Sequence, residues 1–353
     1  MKPVRQEAAG PNWAGRRVTV VGLGRSGRAA AELLVRAGCR VVVTEAGDTP
    51  ILREAATTLS GQGGVQVELG RHSREVIERS EVVVVSPGVP ESSSPIQWAQ
   101  ERGVPIVSEI ELAFRFCPAL VIAVTGTNGK SSVVTLLEHV LRAAGRAAVA
   151  CGNLGIPFSA VVEHLSPEAI AVVEVSSFQL SWCQTFRPQV GVLLNLGTNH
   201  LDRHVHRDNY VRAKARLFQS QTPQDWAVLN GRDPDVAALG ARLSAQRVWF
   251  GDNRTNPPRF HLATQTQARL SDNAQAVLQV GRVFGIPDPL IWQTIRRFRG
   301  LEHRLEYVAA IHGVSFINDS KSTTPESLVF ALRQLHGPVV LIIGGRDKGM
   351  DFQ

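Results

Sequence analysis

The stretch Val121–Ser132, VIAVTGTNGKSS, decides how the rest of the chain reads. An apolar run, Leu120 to Val124, ends abruptly in Gly126-Thr127-Asn128-Gly129-Lys130-Ser131. Ser132 to Ala144 then carries Val133, Val134, Leu137, Val140 and Leu141 on one face, the spacing of a helix. A buried strand, a glycine turn and a helix N-terminus together make a phosphate cradle. The glycines let backbone N–H groups approach the anion, and the helix dipole favours its charge. In such a loop Lys130 reaches the β- and γ-phosphates and the Ser131 hydroxyl binds Mg²⁺. The loop is a shortened one, because the full Walker spacing needs glycine where this chain has Val124. The bland alternative is a ligand-free glycine turn, and Lys-Ser directly after the last glycine argues against it.

Composition narrows the class. A chain of 353 residues is long for one domain and fits two or three. Hydrophobic content of 44% and charged content of 20% are those of a soluble globular protein. No apolar run is long enough for a membrane helix, and the N-terminus has no apolar segment of a signal peptide. Cys39, Cys117, Cys151 and Cys183 are scattered without a CxxC, which argues against a disulfide framework or a zinc site and fits a reducing cytoplasm. The net charge of +7 comes from dispersed arginines with no basic run, so anionic small molecules explain it as well as nucleic acid does. Only five of the 38 basic residues are lysine: Lys2, Lys130, Lys214, Lys321 and Lys348. A chain that defaults to arginine keeps lysine where a compact, modifiable amine is needed.

Upstream, Arg17 to Gly22 reads as a strand entering Gly22-Leu23-Gly24-Arg25-Ser26-Gly27, a GxGxxG turn, then a helix and a strand from Arg40 ending at Glu45. That is a dinucleotide fingerprint, although the same geometry binds other diphosphates such as UDP-sugars. Strands are expected at Val65–Leu69, Glu81–Ser86 and Val104–Val107, with a Ser86-Pro87-Gly88 turn. Alternating strands and helices predict a parallel, doubly wound sheet with ligands at the strands' carboxyl ends. Downstream of a helix at Glu109–Phe116 and the phosphate loop, a polar turn is expected from Ala150 to Pro157. A buried strand, Ile170–Val175, carries one acid, Glu174, near its end, and such a carboxylate is costly unless paired or bound to metal. Another strand, Val190–Leu194, leads to His200, His204 and His206, whose spacing is not that of a zinc site; His200 is the functional candidate. A helix over Asp208–Gln219 carries Lys214, where a snorkelling surface lysine is the default. Near Leu301 a third segment begins, with strands at Val314–Ile317 and Pro338–Ile343 around a helix at Pro325–Leu335.

Together GTNGKSS, EVSSFQL, NHLDRH with YVRAKARLF, LEHRLE, FINDSKSTTPES and GGRDKGMDF, in this order, resemble the Mur ligase family. VVGLGRSGRAAAELL and SPGVP resemble its D-glutamate-adding branch. The resemblance implies an α/β architecture: an N-terminal Rossmann-like domain binding a UDP-sugar (1–108), a central P-loop-type ATPase domain with a parallel sheet (109–300) and a Rossmann-like C-terminal domain cut short (301–353). It implies a cytoplasmic, monomeric ligase acting on UDP-N-acetylmuramoyl-L-alanine, D-glutamate and ATP through an acyl phosphate, with no nucleic-acid partner. Gly126, Thr127, Asn128, Gly129, Lys130, Ser131, Ser132, Asn153, Asn273, Arg304 and Asp319 would bind ATP. Gly24, Arg25, Ser26, Glu45, Ser86, Pro87, Gly88 and Ser176 would hold the UDP-sugar, and Thr323 and Lys348 would face D-glutamate. Ser131, Glu174, His200 and Lys214, the last as a carbamate, would hold two Mg²⁺ ions; Lys130, Lys214, His200 and Glu174 are the expected catalytic set. The chain departs from the family pattern at Ala46, Gly47, Asn199, Leu270 and Thr324. Alternatives are another ligase of the superfamily or an inactive nucleotide-binding remnant. A nicotinamide-dependent oxidoreductase is disfavoured by the second phosphate loop.

Overall fold

The protein is described here by a computed structural model covering residues 12–61, 63–153, 155–197, 207–251, 267–322, 325–332, 335 and 337–345. Its first sheet is built from β1 (Arg17–Val21), β2 (Arg40–Glu45), β3 (Val65–Leu69), β4 (Val82–Val85) and β5 (Ile106–Ser108). The strands are all parallel in the order β3-β2-β1-β4-β5. Valines dominate them and are buried on both faces, as a sheet covered by helices on both sides requires. The covering helices are α1 (Arg25–Arg36), α2 (Pro50–Gly61), α3 (Arg74–Glu78) and α4 (Ser94–Arg102). Strand order reverses between β1 and β4, which opens a crevice at their carboxyl ends.

Helix α5 (Glu109–Phe116) leads into the second sheet, capped by the Ser108 hydroxyl accepting from Glu111 N–H at 3.2 Å. This sheet contains β6 (Leu120–Thr125), β7 (Ala148–Gly152), β8 (Ile170–Glu174), β9 (Val190–Leu193), β10 (Trp226–Asn230) and β11 (Gln246–Phe250). It is again fully parallel, in the order β11-β10-β9-β6-β8-β7. The expected polar turn from Ala150 is a correction: Ala148–Gly152 pairs with β8 as an edge strand, and the turn starts only beyond it. Helices α6 (Lys130–Ala143), α7 (Phe158–Val161), α8 (Ser177–Ser181), α9 (Arg207–Ala215), α10 (Pro234–Gly240), α11 (Gln267–Val283) and α12 (Asp288–Arg297) accompany it. Val133, Leu137 and Val140 of α6 pack between Ile122 and Val124 of β6 and Val277, Val280 and Ile291 of α11 and α12. That burial, at about 25 cal/mol per Å² of apolar surface, holds the phosphate loop's helix onto its strand.

The last described part is an antiparallel hairpin of β12 (Glu306–Ile311) and β13 (Val314–Asn318), followed by α13 (Pro325–Leu332). The expected strand over Pro338–Ile343 does not form, because no strand among the described residues lies beside it to take its hydrogen bonds. Val340 and Ile342 are each 92% exposed there. No helix among the described residues is long and apolar enough to cross a membrane.

The turn after β1 shows why glycine is needed. Gly22 has φ +98°, and a Cβ there would lie 2.9 Å from the Ser86 side chain. A Cβ on Gly27 would lie 1.8 Å from the Gly22 carbonyl oxygen. No side-chain adjustment relieves a backbone overlap, so Gly27→Ala is expected to force α1 away from β1. It should lower the midpoint of thermal unfolding by several degrees, roughly 2 kcal/mol or more, measurable by circular dichroism.

Candidate active site

Strand β6 ends between β8 and β9, so the phosphate loop that follows it is flanked by the carboxyl ends of both neighbours. Gly126 has φ +154° and Gly129 φ +88°, conformations that side chains rarely adopt. A Cβ on Gly126 would lie 2.9 Å from Leu194 Cβ, and one on Gly129 would lie 2.4 Å from Asn273 Oδ1. The loop is therefore wedged between β9 and the start of α11, and Asn273 lies directly against it.

The charged groups converge here. Ser131 Oγ donates to Glu174 Oε2 at 2.7 Å, and Asn153 Nδ2 donates to Glu174 Oε1 at 2.8 Å. Glu174 is 3% exposed at the end of β8, beside β6 as its sequence position suggested. Lys130 Nζ donates to the carbonyls of Gly126 (2.9 Å) and Thr127 (3.0 Å). Burial pulls the Lys130 pKa below the ordinary lysine value, against the pull of Glu174 and with the help of Arg304.

Lys214 corrects the snorkelling expectation. It is 2% exposed, because α9 turns Tyr210, Ala213 and Lys214 inward together. Its Nζ donates to the same Gly126 carbonyl at 3.0 Å and to Thr125 Oγ1 at 3.3 Å, 4.7 Å above the Tyr210 ring. Burial holds its pKa well below the ordinary value, and the neighbouring Lys130 adds to this. Burial thus favours the neutral form of the Lys214 amine relative to an exposed lysine. The two lysines thus share one glycine carbonyl, with Glu174 as a charge near both.

Arg304 Nη2 reaches Ser131 Oγ at 3.5 Å, which brings it to the phosphate end of the loop. It sits between His303 and Leu305, both with positive φ (65° and 43°), in a turn held by Asp319 Oδ1 accepting from Leu305 N–H at 3.0 Å. Asn128 is exposed and Ser132 half-buried at the open side of the loop. His200, Thr323 and Lys348, and with them Asn199 and Thr324, lie outside the described residues.

Two residues escaped the sequence reading. Asn195, just past β9, accepts from Asn128 N–H at 2.9 Å and donates to its carbonyl at 3.1 Å, pinning the tip of the loop. Tyr210 hydrogen-bonds Thr127 Oγ1 through its hydroxyl at 2.7 Å, and Thr127 Oγ1 accepts from Gly197 N–H at 2.8 Å. Their only sequence signal is position: Asn195 follows the strand next to the loop strand, and Tyr210 precedes Lys214 by one helical turn.

At the first sheet, Gly24 caps α1 without a side chain, with Arg25 exposed and Ser26 half-buried in its first turn. Ser86 is buried and donates to the Gly22 carbonyl at 3.2 Å, while Pro87 and Gly88 continue the turn beyond β4. Glu45 Oε2 accepts from Leu23 N–H and Oε1 from Gly47 N–H, each at 2.9 Å. Ser176 is engaged in a capping box with Gln179 at the start of α8. All four cysteines are free, and burial pushes the Cys39 and Cys117 thiols up to about 11, so neither carries a thiolate at neutral pH.

Residues 16–108 match the Mur ligase MurD-like, N-terminal domain, and residues 124–283 match the Mur ligase middle domain. The UDP-N-acetylmuramoylalanine–D-glutamate ligase of Pelotomaculum thermopropionicum is 39% identical over 96% of this chain and 79% of its own length. The chain belongs to the Mur ligase family. The corresponding ligase of Desulfitobacterium hafniense is 40% identical to this Mur ligase over 96% of this chain and 78% of its own. Among solved structures, a murein peptide ligase from Psychrobacter arcticus superposes with a TM-score of 0.59 at 16% identity, covering 90% of this chain and 75% of that one. UDP-N-acetylmuramate–alanine ligase from Thermotoga maritima gives a TM-score of 0.53 at 17% identity, covering 90% and 78%. At these identities the two share the fold of this Mur ligase, the paired parallel α/β sheets expected from its sequence.

Proposed function

We infer that this chain is an ATP-dependent amide ligase that joins D-glutamate to UDP-N-acetylmuramoyl-L-alanine in the synthesis of peptidoglycan precursors. The observation that carries the reading is the convergence of Lys130, Lys214, Ser131 and Glu174 on the loop after β6. The acyl donor and the amino acid follow from the names of the relatives. The substrate carboxylate attacks the γ-phosphorus of ATP and ADP leaves, giving an acyl phosphate. The amine of D-glutamate then adds to the acyl carbon, and the tetrahedral species expels phosphate and a proton to leave the amide.

The chain's own groups meet the demands of these steps. Loop amides and Lys130, released from the Gly126 and Thr127 carbonyls, stabilise charge on the transferring phosphoryl group. Ser131 and Glu174 would supply hard oxygen donors for Mg²⁺ and His200 a nitrogen ligand, and the buried carboxylate–hydroxyl pair fits such a cation. Bound there, Mg²⁺ neutralises phosphate charge. Lys214, as the carbamate its weakly basic buried amine can form with CO₂, adds an anion to the same donor set. Asn273, Arg304 and Asp319 hold the nucleotide, the turns Gly24–Ser26 and Ser86–Gly88 hold the UDP-sugar with Glu45 and Ser176, and Thr323 and Lys348 face D-glutamate. The units 1–108, 109–300 and 301–353 divide this labour in a cytoplasmic monomer.

A coupled assay tests the reading. Phosphate release from ATP should require UDP-N-acetylmuramoyl-L-alanine, D-glutamate and Mg²⁺ together, and fall to background when any one is omitted. Release supported by another amino acid and not by D-glutamate would overturn the assigned specificity.

A further inference from the structure

One residue of the segment leaving β9, Asn195, ties the phosphate loop down without entering the reaction set out above. Its backbone carbonyl accepts from Thr127 N–H at 3.1 Å. Its side chain then spans the next residue of the loop: Oδ1 accepts from Asn128 N–H at 2.9 Å, and Nδ2 donates to the Asn128 carbonyl at 3.1 Å. A backbone N–H can meet only the oxygen of an amide side chain and a carbonyl only its nitrogen, so the two bonds together fix which way the amide points. A single residue thus takes the backbone groups at the loop tip as a neighbouring strand would, with its side chain standing in for a second peptide.

Asn195 is itself held from both sides. Leu194 N–H donates to the Thr125 carbonyl at 3.0 Å, and the Leu194 carbonyl accepts from Asn230 Nδ2 at 2.9 Å. Leu196 N–H donates to Asp233 Oδ2 at 2.7 Å, while Asp233 Oδ1 caps α10 by accepting from the N–H groups of Asp235 and Val236. The clamp therefore stands on the ends of β9 and β10 as well as on the loop strand, and its geometry does not depend on the loop tip it holds. This has a chemical consequence. The Thr127 and Asn128 N–H groups are spent on Asn195 and not on an anion. The amides left for a phosphate are those in the first turn of α6, which have no partner inside the helix.

We propose that Asn195 is a positioning residue for phosphoryl transfer: it holds the loop in its anion-binding form before nucleotide arrives and confines phosphate contact to the amides at the start of α6. The proposal rests on the reading of this loop as the ATP site. Without the clamp the exposed tip samples other conformations, and the apparent affinity for nucleotide falls with the fraction of molecules whose loop is formed. Two hydrogen bonds of ordinary strength are together worth about tenfold in that equilibrium. Once nucleotide is bound, its phosphates hold the loop instead, so turnover at saturating ATP is retained.

Phosphate-release kinetics and calorimetric titration of ADP into the full chain test it. Asn195→Ala should raise KM for ATP and Kd for ADP by about five- to tenfold, with kcat kept within about twofold. KM for D-glutamate and the thermal midpoint should stay near those of the unaltered protein. Asn195→Leu, which keeps the bulk and loses both side-chain bonds, should behave in the same way. A residue that only supported the fold would instead lower the thermal midpoint and kcat, through a smaller folded fraction, and leave KM for ATP where it was. That pattern in Asn195→Ala would overturn the proposal. If Asn195→Ala does not fold, an unchanged KM for ATP and Kd for ADP in Asn195→Leu would overturn it instead. Failure of the unaltered protein to bind ADP would overturn the site reading beneath the proposal.

Discussion

Lys130→Ala is expected to reduce ATP-dependent phosphate release by roughly 10³-fold, about 4 kcal/mol of transition-state stabilisation. The phosphoryl group in flight spreads negative charge over its oxygens, and the protein's task is chiefly to have positive charge waiting. Lys130 is the cation rooted in the loop itself. In the structure its ammonium is parked on two loop carbonyls, 2.9 and 3.0 Å away. Those carbonyls are released when it turns to a phosphate, so the group is held ready without being consumed. The same substitution removes the charge that adds to the depression of the Lys214 pKa at the shared Gly126 carbonyl, so it takes away an unfavourable interaction in the folded protein. The thermal midpoint should therefore stay near that of the unaltered protein. Initial-rate assays beside a melting curve check both halves. A variant that keeps its fold and more than a tenth of its rate would refute the loop assignment.

The largest effect on stability is expected at Glu111, which is 0% exposed in α5. Its carboxylate accepts from the backbone N–H groups of Gln184 (3.0 Å), Thr185 (3.1 Å) and Phe186 (2.9 Å) and from Thr185 Oγ1 (2.6 Å). Arg115 closes the cage at 2.8 Å. One side chain thus satisfies three successive amides of the segment that enters β9, the strand whose end pins the phosphate loop through Asn195. Glu111→Ala leaves those amides and the arginine without their acceptor inside the protein. Removing one partner of such a buried set costs about 3–5 kcal/mol. Denaturant titration followed by circular dichroism should show that loss as a lower midpoint. Glu111→Gln, which keeps an oxygen acceptor, should lose distinctly less. Equal losses for the two variants would show that packing, and not the cage, is what Glu111 provides.

Much of this was legible in the sequence because the signals are local. The alternation of apolar runs with glycine turns and amphipathic helices predicts two parallel sheets, and both formed. Glu174 was identifiable because a charge at the end of an otherwise apolar strand needs a reason. What stayed hidden depends on contacts distant in sequence. Asn195 and Asn128 are 67 residues apart, and Glu111 and Thr185 are 74 apart. No periodicity links such pairs; only the order in which strands are laid into a sheet brings them together. The Pro338–Ile343 run shows the converse, since an apolar, β-branched segment becomes a strand only where another strand stands beside it.

By itself, the sequence determined that this chain builds two glycine turns, each at a strand end and each opening a helix, with a Lys-Ser pair on the second. That follows from backbone sterics and apolar periodicity, which act over a few residues. Only the tertiary structure decided that Lys130 and Lys214 meet at one carbonyl and that the Lys214 amine is kept from water. Each of these is a matter of burial and of which polar group reaches which, and both are set by how the strands cross over in space.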